Sequence, residues 1–266
     1  MATYNFSALS NGQAISFNPN SDVLNFDQTA ISAGNLQVDM QGADTRITVL
    51  SGTDAGKSIT LLSTMPPQLA TSNVHFANGS ALLFGDDSPG TTGDDAANTL
   101  NGTVGADLIQ GFGGNDFLYG DSGADRLVGG TGNDTLYDNA GNDWLEGGAG
   151  NDSLNGGGDQ DSMVFREFGA ANADTVSGFA GGWDDVRFDH NAFANIGAVG
   201  EFSAGDGRFY AAAGASGGHD AGDRLVYNTS TGQLYYDADG SGGGAAQLVA
   251  TFEGAPAVTA TDVWVI

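Results

Sequence analysis

The chain has 266 residues, with 7 Lys and Arg against 33 Asp and Glu, a net charge of −26 and no cysteine. Nucleic acid and anionic membrane surfaces are poor partners for such a charge. Disulfides are excluded, though an oxidising exterior is not. No apolar run approaches the roughly 18–20 residues of a membrane span, and the length allows about one to three domains.

Residues 1–84 read as a small N-terminal β domain. Strand-like runs recur as TYNF, AISF, DVLNFD, LQVDM, TRITVL, SITLL, NVHF and ALLF, separated by Gly, Asn, Ser and Pro turns. No helix of about 10 or more residues is expected here. Met65-Pro66-Pro67 breaks the chain before the last two runs. The opening MATYNFSALSNGQ has neither a basic nor an apolar region, so it is not read as a Sec signal peptide. Lys57 is the only lysine, and His75 in NVHF reads as structural. Asp22, Asp27, Asp39, Asp44 and Asp54 fall at strand ends and turns, where Asp is a good turn residue. The domain reads as a cap or interaction module that would protect an open sheet edge behind it.

Residues 85–92, GDDSPGTT, form an acidic junction into the segment that organises the chain. From Gly93 to Val164 the sequence runs in nines: GDDAANTLN, GTVGADLIQ, GFGGNDFLY, GDSGADRLV, GGTGNDTLY, DNAGNDWLE, GGAGNDSLN, GGGDQDSMV. Eight units keep one register. The first position is Gly except at Asp138, and the fourth is Gly except at Ala96 and Asp159. The sixth position is Asn98 followed by Asp107, Asp116, Asp125, Asp134, Asp143, Asp152 and Asp161. The eighth is Leu100, Ile109, Leu118, Leu127, Leu136, Leu145, Leu154 and Met163. A fixed period with fixed chemistry at four phases marks a repeat architecture.

Each unit holds six residues suited to a tight turn and three that make one short strand. Two units then make one coil, and successive coils stack at roughly 4.8 Å. Strand alternation sends the eighth residue inward and the seventh and ninth outward. One outer face would carry Phe117, Tyr119 and Tyr137, the other Leu108, Arg126, Val128 and Trp144, and flanking domains are expected to cover both. One aliphatic side chain per unit buries too little surface to offset ordering costs of about 1–2 kcal/mol per residue. Between Asp86 and Asp161 there are 15 acidic residues against Arg126 alone, a net of −14. Cations must neutralise them if the segment is to compact.

The units resemble the RTX nonapeptide GGxGxDxUx, a calcium-binding repeat. The resemblance implies an all-β fold: a parallel β-roll over 85–165, between the N-terminal β domain and a C-terminal β-rich cap over 166–266. Calcium takes about six to eight oxygens from carboxylates and carbonyls. The family pattern places each ion between units n and n+2, so eight units allow 8 − 2 = 6 pairs. The first turn gives the carbonyls of positions one and three and its Asp; the second gives those of positions two and four and its own Asp. Gly111, Gly113 and Asp116 would thus join Gly130, Gly132 and Asp134. Gly120, Ser122 and Asp125 would join Asn139, Gly141 and Asp143. In the same way Gly102, Val104 and Asp107 face Asp121, Gly123 and Asp125. Gly129, Thr131 and Asp134 face Gly148, Gly150 and Asp152, and Asp138, Ala140 and Asp143 face Gly157, Asp159 and Asp161. The pair that uses Asn98 should be weakest. In all, about five to seven calcium ions are expected.

After Val164 the nine-residue register is lost. The segment FREFGAANADTVSGFAGGWDDVRFDHNAF and the later YYDADGSG resemble the C-terminal region of serralysin-type RTX proteins. Arg187 stands where that family usually has an acid, which weighs against an ion there. A hairpin is expected across DRLVYNTSTGQLYYDADG. Asp237 and Asp239 in its acidic Gly-turn are candidates for a further calcium, or simply solvated turn residues. GASGG around Ser216 matches G-x-S-x-G but lies in an Ala/Gly loop, with His219 and Asp220 adjacent, so it is not read as a nucleophile. There is no H-E-x-x-H, so the zinc site of serralysins is absent and the chain is not read as a protease. Asp262-Val263-Trp264-Val265-Ile266 resembles the uncleaved terminal signal of substrates of the type I (ABC-transporter) secretion apparatus, and also suits a final strand.

The functional expectation is a secreted, non-catalytic calcium-binding protein that folds on meeting extracellular calcium and acts at a cell surface or in a matrix, with surface polysaccharide as a partner class. The alternatives are a polysaccharide-active enzyme with its site in residues 1–84, and a sugar-binding module using the exposed aromatics.

Overall fold

The computed structural model describes residues 97–266 throughout, and residues 2–84 apart from 20, 29–30, 32, 42–43, 51–53, 63, 65–68, 70–73 and 77–79. The Met65-Pro66-Pro67 break, the 85–92 junction, the head of the first unit at 93–96 and the His75 side chain lie outside the described residues.

All eight strand-like runs of residues 1–84 fall on strands. Gln13–Ser16, Ser58–Leu62, Asp44–Val49 and Leu36–Gln41 form one sheet in that order. Thr3–Asn5, Val23–Phe26 and Val74–Phe76 form a second, wholly parallel one. Alternation buries Leu24 and Phe26, then Ile47 and Val49, then Ile59 and Leu61 between them. Phe26 stacks on both Phe6 (4.8 Å between centroids) and Phe76 (4.6 Å), and Lys57 Nζ sits 4.4 Å over the Phe6 ring. Leu82 and Leu108 close this core, so it ends on the first rungs of the next unit.

That next unit is a parallel β-roll of two facing sheets. In one, Leu82–Phe84, Leu108–Gly113, Arg126–Thr131, Trp144–Ala149, Ser162–Phe165, Asp185–Phe188 and Val263–Val265 follow each other in parallel. In the other, Thr99–Asn101, Phe117–Ser122, Thr135–Ala140, Ser153–Asn155, Asp174–Ser177 and Gln247–Phe252 do the same. Within the repeats the pairing advances by 18 residues, as Leu108↔Arg126↔Trp144↔Ser162 illustrates. One coil is therefore two nonapeptides. Ile109, Leu118, Leu127, Leu136, Leu145, Leu154 and Met163 are all fully buried in the interior column, and Val176 and Val186 extend it.

The roll outruns the repeats at both ends. Leu82–Phe84 is a rung before them, and Asp174–Ser177 and Asp185–Phe188 are rungs after them. The final Val263–Val265 lies between Asp185–Phe188 and Gly200–Glu201, with Val263 and Val265 buried. The expected hairpin is Leu225–Asn228 with Gln233–Tyr236. The column and the aromatics Phe188, Phe193, Phe202, Tyr227 and Phe252 share one core.

The two outer faces differ. Leu108 is buried in the N-terminal core, and Trp144 is half-buried in a cleft of about 510 Å³ whose other wall includes Gly34, Gln37 and Leu50. The opposite face is open, with Phe117 46% and Tyr137 38% exposed and Tyr119 stacked on Tyr137 at 5.6 Å. The expectation is cover on both faces; among the described residues only one is covered, because the described part of 2–84 packs on a single sheet.

Candidate metal centre

The turns explain the composition of the repeat. Position two takes a left-handed backbone at Phe112 (φ 70°), Asp121 (75°), Gly130 (115°), Asn139 (77°), Gly148 (98°) and Gly157 (73°). Gly, Asn and Asp tolerate that region best. Phe112 does not, and its ring is held 5.8 Å from Phe84 of the preceding rung. First-position glycines serve another need. A Cβ on Gly129 would collide with Oδ2 of Asp134 and approach the Gly147 carbonyl at 2.5 Å; one on Gly111 would meet Oδ2 of Asp116 and the Gly129 carbonyl at 2.7 Å. At Gly102, Gly111 and Gly129 the carboxylate of the turn and a carbonyl of the next coil thus converge above the first glycine.

The sixth-position aspartates form two ladders. The Asp107 amide donates to Oδ1 of Asp125 (2.7 Å), Asp125 to Asp143 (2.7 Å), Asp143 to Asp161 (3.2 Å) and Asp161 to Asp184 (3.0 Å). On the other side Asn98 donates to Asp116 (2.7 Å), Asp116 to Asp134 (2.8 Å), Asp134 to Asp152 (2.8 Å) and Asp152 to Asp174 (3.0 Å). All these aspartates are at most 5% exposed. One oxygen of each accepting aspartate is thereby used, and Oδ1 of Asp107 accepts from the Ala81 amide (2.6 Å). The second oxygen of Asp125, Asp134, Asp143 and Asp152 is buried without a hydrogen-bond partner. Among the described residues none of these four has an ion pair.

Burial pushes Asp134 and Asp143 up to about 6, Asp125 and Asp152 to about 7, and Asp161 and Asp174 to about 8, with neighbouring carboxylates adding to the rise. A buried, unpartnered carboxylate is costly unless it meets a cation. Oxygen-only donor sets of carboxylates and backbone carbonyls suit calcium. The residues fit the ion. The turn at Asp107 differs: its Oδ2 accepts from the Thr103 amide at 2.5 Å and from the Thr103 hydroxyl.

Asp174 and Asp184 complete the ladders, yet both lie beyond the nonapeptides. They sit 22 and 23 residues after Asp152 and Asp161. Their signal was the D-x-U triplet, Asp174-Thr175-Val176 and Asp184-Asp185-Val186, which keeps the end of the repeat after its Gly-rich turn is gone.

The other sequence candidates are separate from this array. Asp237 accepts the amides of Gly218 (2.9 Å) and Asp239 (3.3 Å), and Asp239 that of Gly244 (2.9 Å), so turn donors already engage these carboxylates. Ser216 is exposed in a loop. The His219 ring stacks on Tyr210 (4.6 Å) and faces Asp223 at 3.1 Å. Arg187 pairs with Asp185 (2.9 Å) and lies between Trp144 and Trp264, 5.5 and 5.4 Å from their rings.

The family comparison agrees with the array. The family profile of the RTX calcium-binding nonapeptide repeat (4 copies) matches residues 92–127 and again 128–163. Comparison with curated proteins finds no match. Among solved structures, an AlgE6R3 subunit of the mannuronan C5-epimerase from Azotobacter vinelandii is similar at 24% identity, covering 66% of this chain and 85% of that one with a TM-score of 0.34. The ladders, the glycine cradles and the repeat match lead to one conclusion: residues 92–163 are RTX calcium-binding nonapeptide repeats.

Proposed function

We propose that the chain is an exported, non-catalytic β-roll protein that stays unfolded at cytosolic calcium and folds on reaching calcium outside the cell. One observation carries this reading. Asp125, Asp134, Asp143 and Asp152 each bury an unpartnered Oδ2 that no basic residue balances. Without a divalent cation the rungs repel one another, and the chain remains threadable. At about 1 mM calcium and a Kd of about 10⁻⁴ M, each site would add roughly 1.4 kcal/mol. Five or six sites together would add about 7–8 kcal/mol, comparable to a domain's whole stability. Within the segment Asp262–Ile266, read as an export signal, Val263–Val265 is a strand with Val263 and Val265 buried once folded, so export would come first. Hydrogen exchange at residues 97–165 tests this. Protection should appear with calcium and vanish with chelator; equal protection in both would sink the proposal.

A second reading, recognition of a polysaccharide, is favoured by the open face with Phe117 and Tyr137 exposed. Aromatic faces stack on sugar rings and need no catalytic group. Loss of retardation in polysaccharide-containing gels in the Phe117→Ala/Tyr137→Ala double variant would support it, and unchanged mobility would dismiss it.

A further inference from the structure

Asp138 occupies the first position of its unit, where the other seven units have Gly. Its carboxylate is fully buried and neither oxygen has a hydrogen-bond partner. One oxygen each from Asp125, Asp138 and Asp143 lies within 4.8 Å of the others. The aim of the side chain is fixed by Gly120 on the preceding coil: a Cβ there would collide with Oδ1 of Asp138 and come within 2.6 Å of Oδ2 of Asp125. Above Gly111 and Gly129 the corresponding place is taken by the neutral carbonyls of Gly129 and Gly147. Above Gly120 the Asp138 carbonyl stands further off, at 3.2 Å, and its carboxylate has moved in.

We propose that Asp125, Asp138 and Asp143 form a three-carboxylate calcium site, distinct from the two-carboxylate turns around it, that takes the first ion and seeds the roll from its middle coil. The proposal rests on the calcium reading above. Two carboxylates cancel the charge of one divalent ion, and a third leaves an excess that strengthens attraction in a buried site. Calcium affinity rises with ligand charge count. The same excess charge would favour a trivalent lanthanide still more. No described Lys or Arg forms an ion pair with Asp138, so a bound cation is what accounts for a buried, donor-free carboxylate at a position where glycine is the rule.

The test is titration of the full chain with calcium by calorimetry, and with terbium followed by its luminescence. Trp144 and Tyr137, next in sequence to Asp143 and Asp138, would sensitise the ion. Wild type, Asp138→Gly, Asp138→Asn and the control Asp134→Asn are compared. Glycine restores the residue found in the other units, and asparagine keeps the volume, so both should fold in excess calcium. The first-bound ion should bind about tenfold or more weakly in both Asp138 variants, with early terbium luminescence lost. In Asp134→Asn that first step should be unchanged while a later one weakens. An unaltered first step in both Asp138 variants would overturn the proposal and leave the calcium reading intact. No binding of either ion by wild type would overturn both.

Discussion

The amide of Asp125 donates to Oδ1 of Asp143 at 2.7 Å, one full coil away. Each such carboxylate uses one oxygen to fix the register of the coil before it and offers the other to its turn. Ion binding and coil stacking thus share a single group. Loss of a cation leaves the stacking bond in place but makes the buried charge that supplies it unfavourable.

Asp152→Asn separates these roles. Its amide oxygen can still accept from Asp134, as the carboxylate does at 2.8 Å, but the charge is gone. Urea unfolding in about 1 mM calcium should show a loss of about 1–2 kcal/mol. Asp152→Ala also orphans the Asp134 amide and should lose about 1–3 kcal/mol more. Equal stability of all three proteins would remove the ladder from the mechanism.

In chelator, acid should favour the roll. The folded carboxyls titrate near 6 to 8, above the unfolded value of about 3.9. Their ionisation penalty is absent below pH about 4, grows as pH rises, and is complete above the folded values. Far-UV circular dichroism without calcium should therefore gain β signal from pH 8 to 5. With calcium the direction reverses, since protons compete for the same oxygens, and the calcium midpoint should rise as pH falls below about 7. A flat pH response in chelator would contradict the burial of these acids.

Two glycines give a paired steric test. Gly129→Ala drives a methyl group into Oδ2 of Asp134 and towards the Gly147 carbonyl, whereas Gly158→Ala meets nothing within 4 Å. Calorimetric melting in calcium should show the first variant destabilised by about 1–3 kcal/mol. The second should stay within about 0.5 kcal/mol of wild type.

Leu136 tests the interior column, where it is fully buried. Leu136→Ala should cost about 2–5 kcal/mol in calcium-loaded protein by urea unfolding. A loss under about 1 kcal/mol would mean that metal alone holds the rungs.

Much of the roll was legible because its chemistry repeats. The column from Ile109 to Met163 and the aspartates from Asp107 to Asp161 follow from a period of nine and from strand alternation. The runs TYNF to ALLF were legible from turn residues alone. What the period could not show was where the roll ends. Leu82–Phe84 joins as a rung although nothing in ALLF repeats, and Asp174 and Asp184 continue the ladders across longer turns. Tertiary pairing needs only D-x-U there, not the whole nonapeptide. Asp138 was legible as an exception at a glycine position, but the direction of its side chain depends on Gly120 in the neighbouring coil, which spacing along the chain does not encode.

The most direct test of the central claim is a calcium titration of the whole chain followed by far-UV circular dichroism, with magnesium as the control. A cooperative gain of β signal near about 0.1–1 mM calcium, with no equivalent change in magnesium, is the expected result. A roll already formed in chelator at neutral pH, or one that magnesium forms equally well, would contradict it.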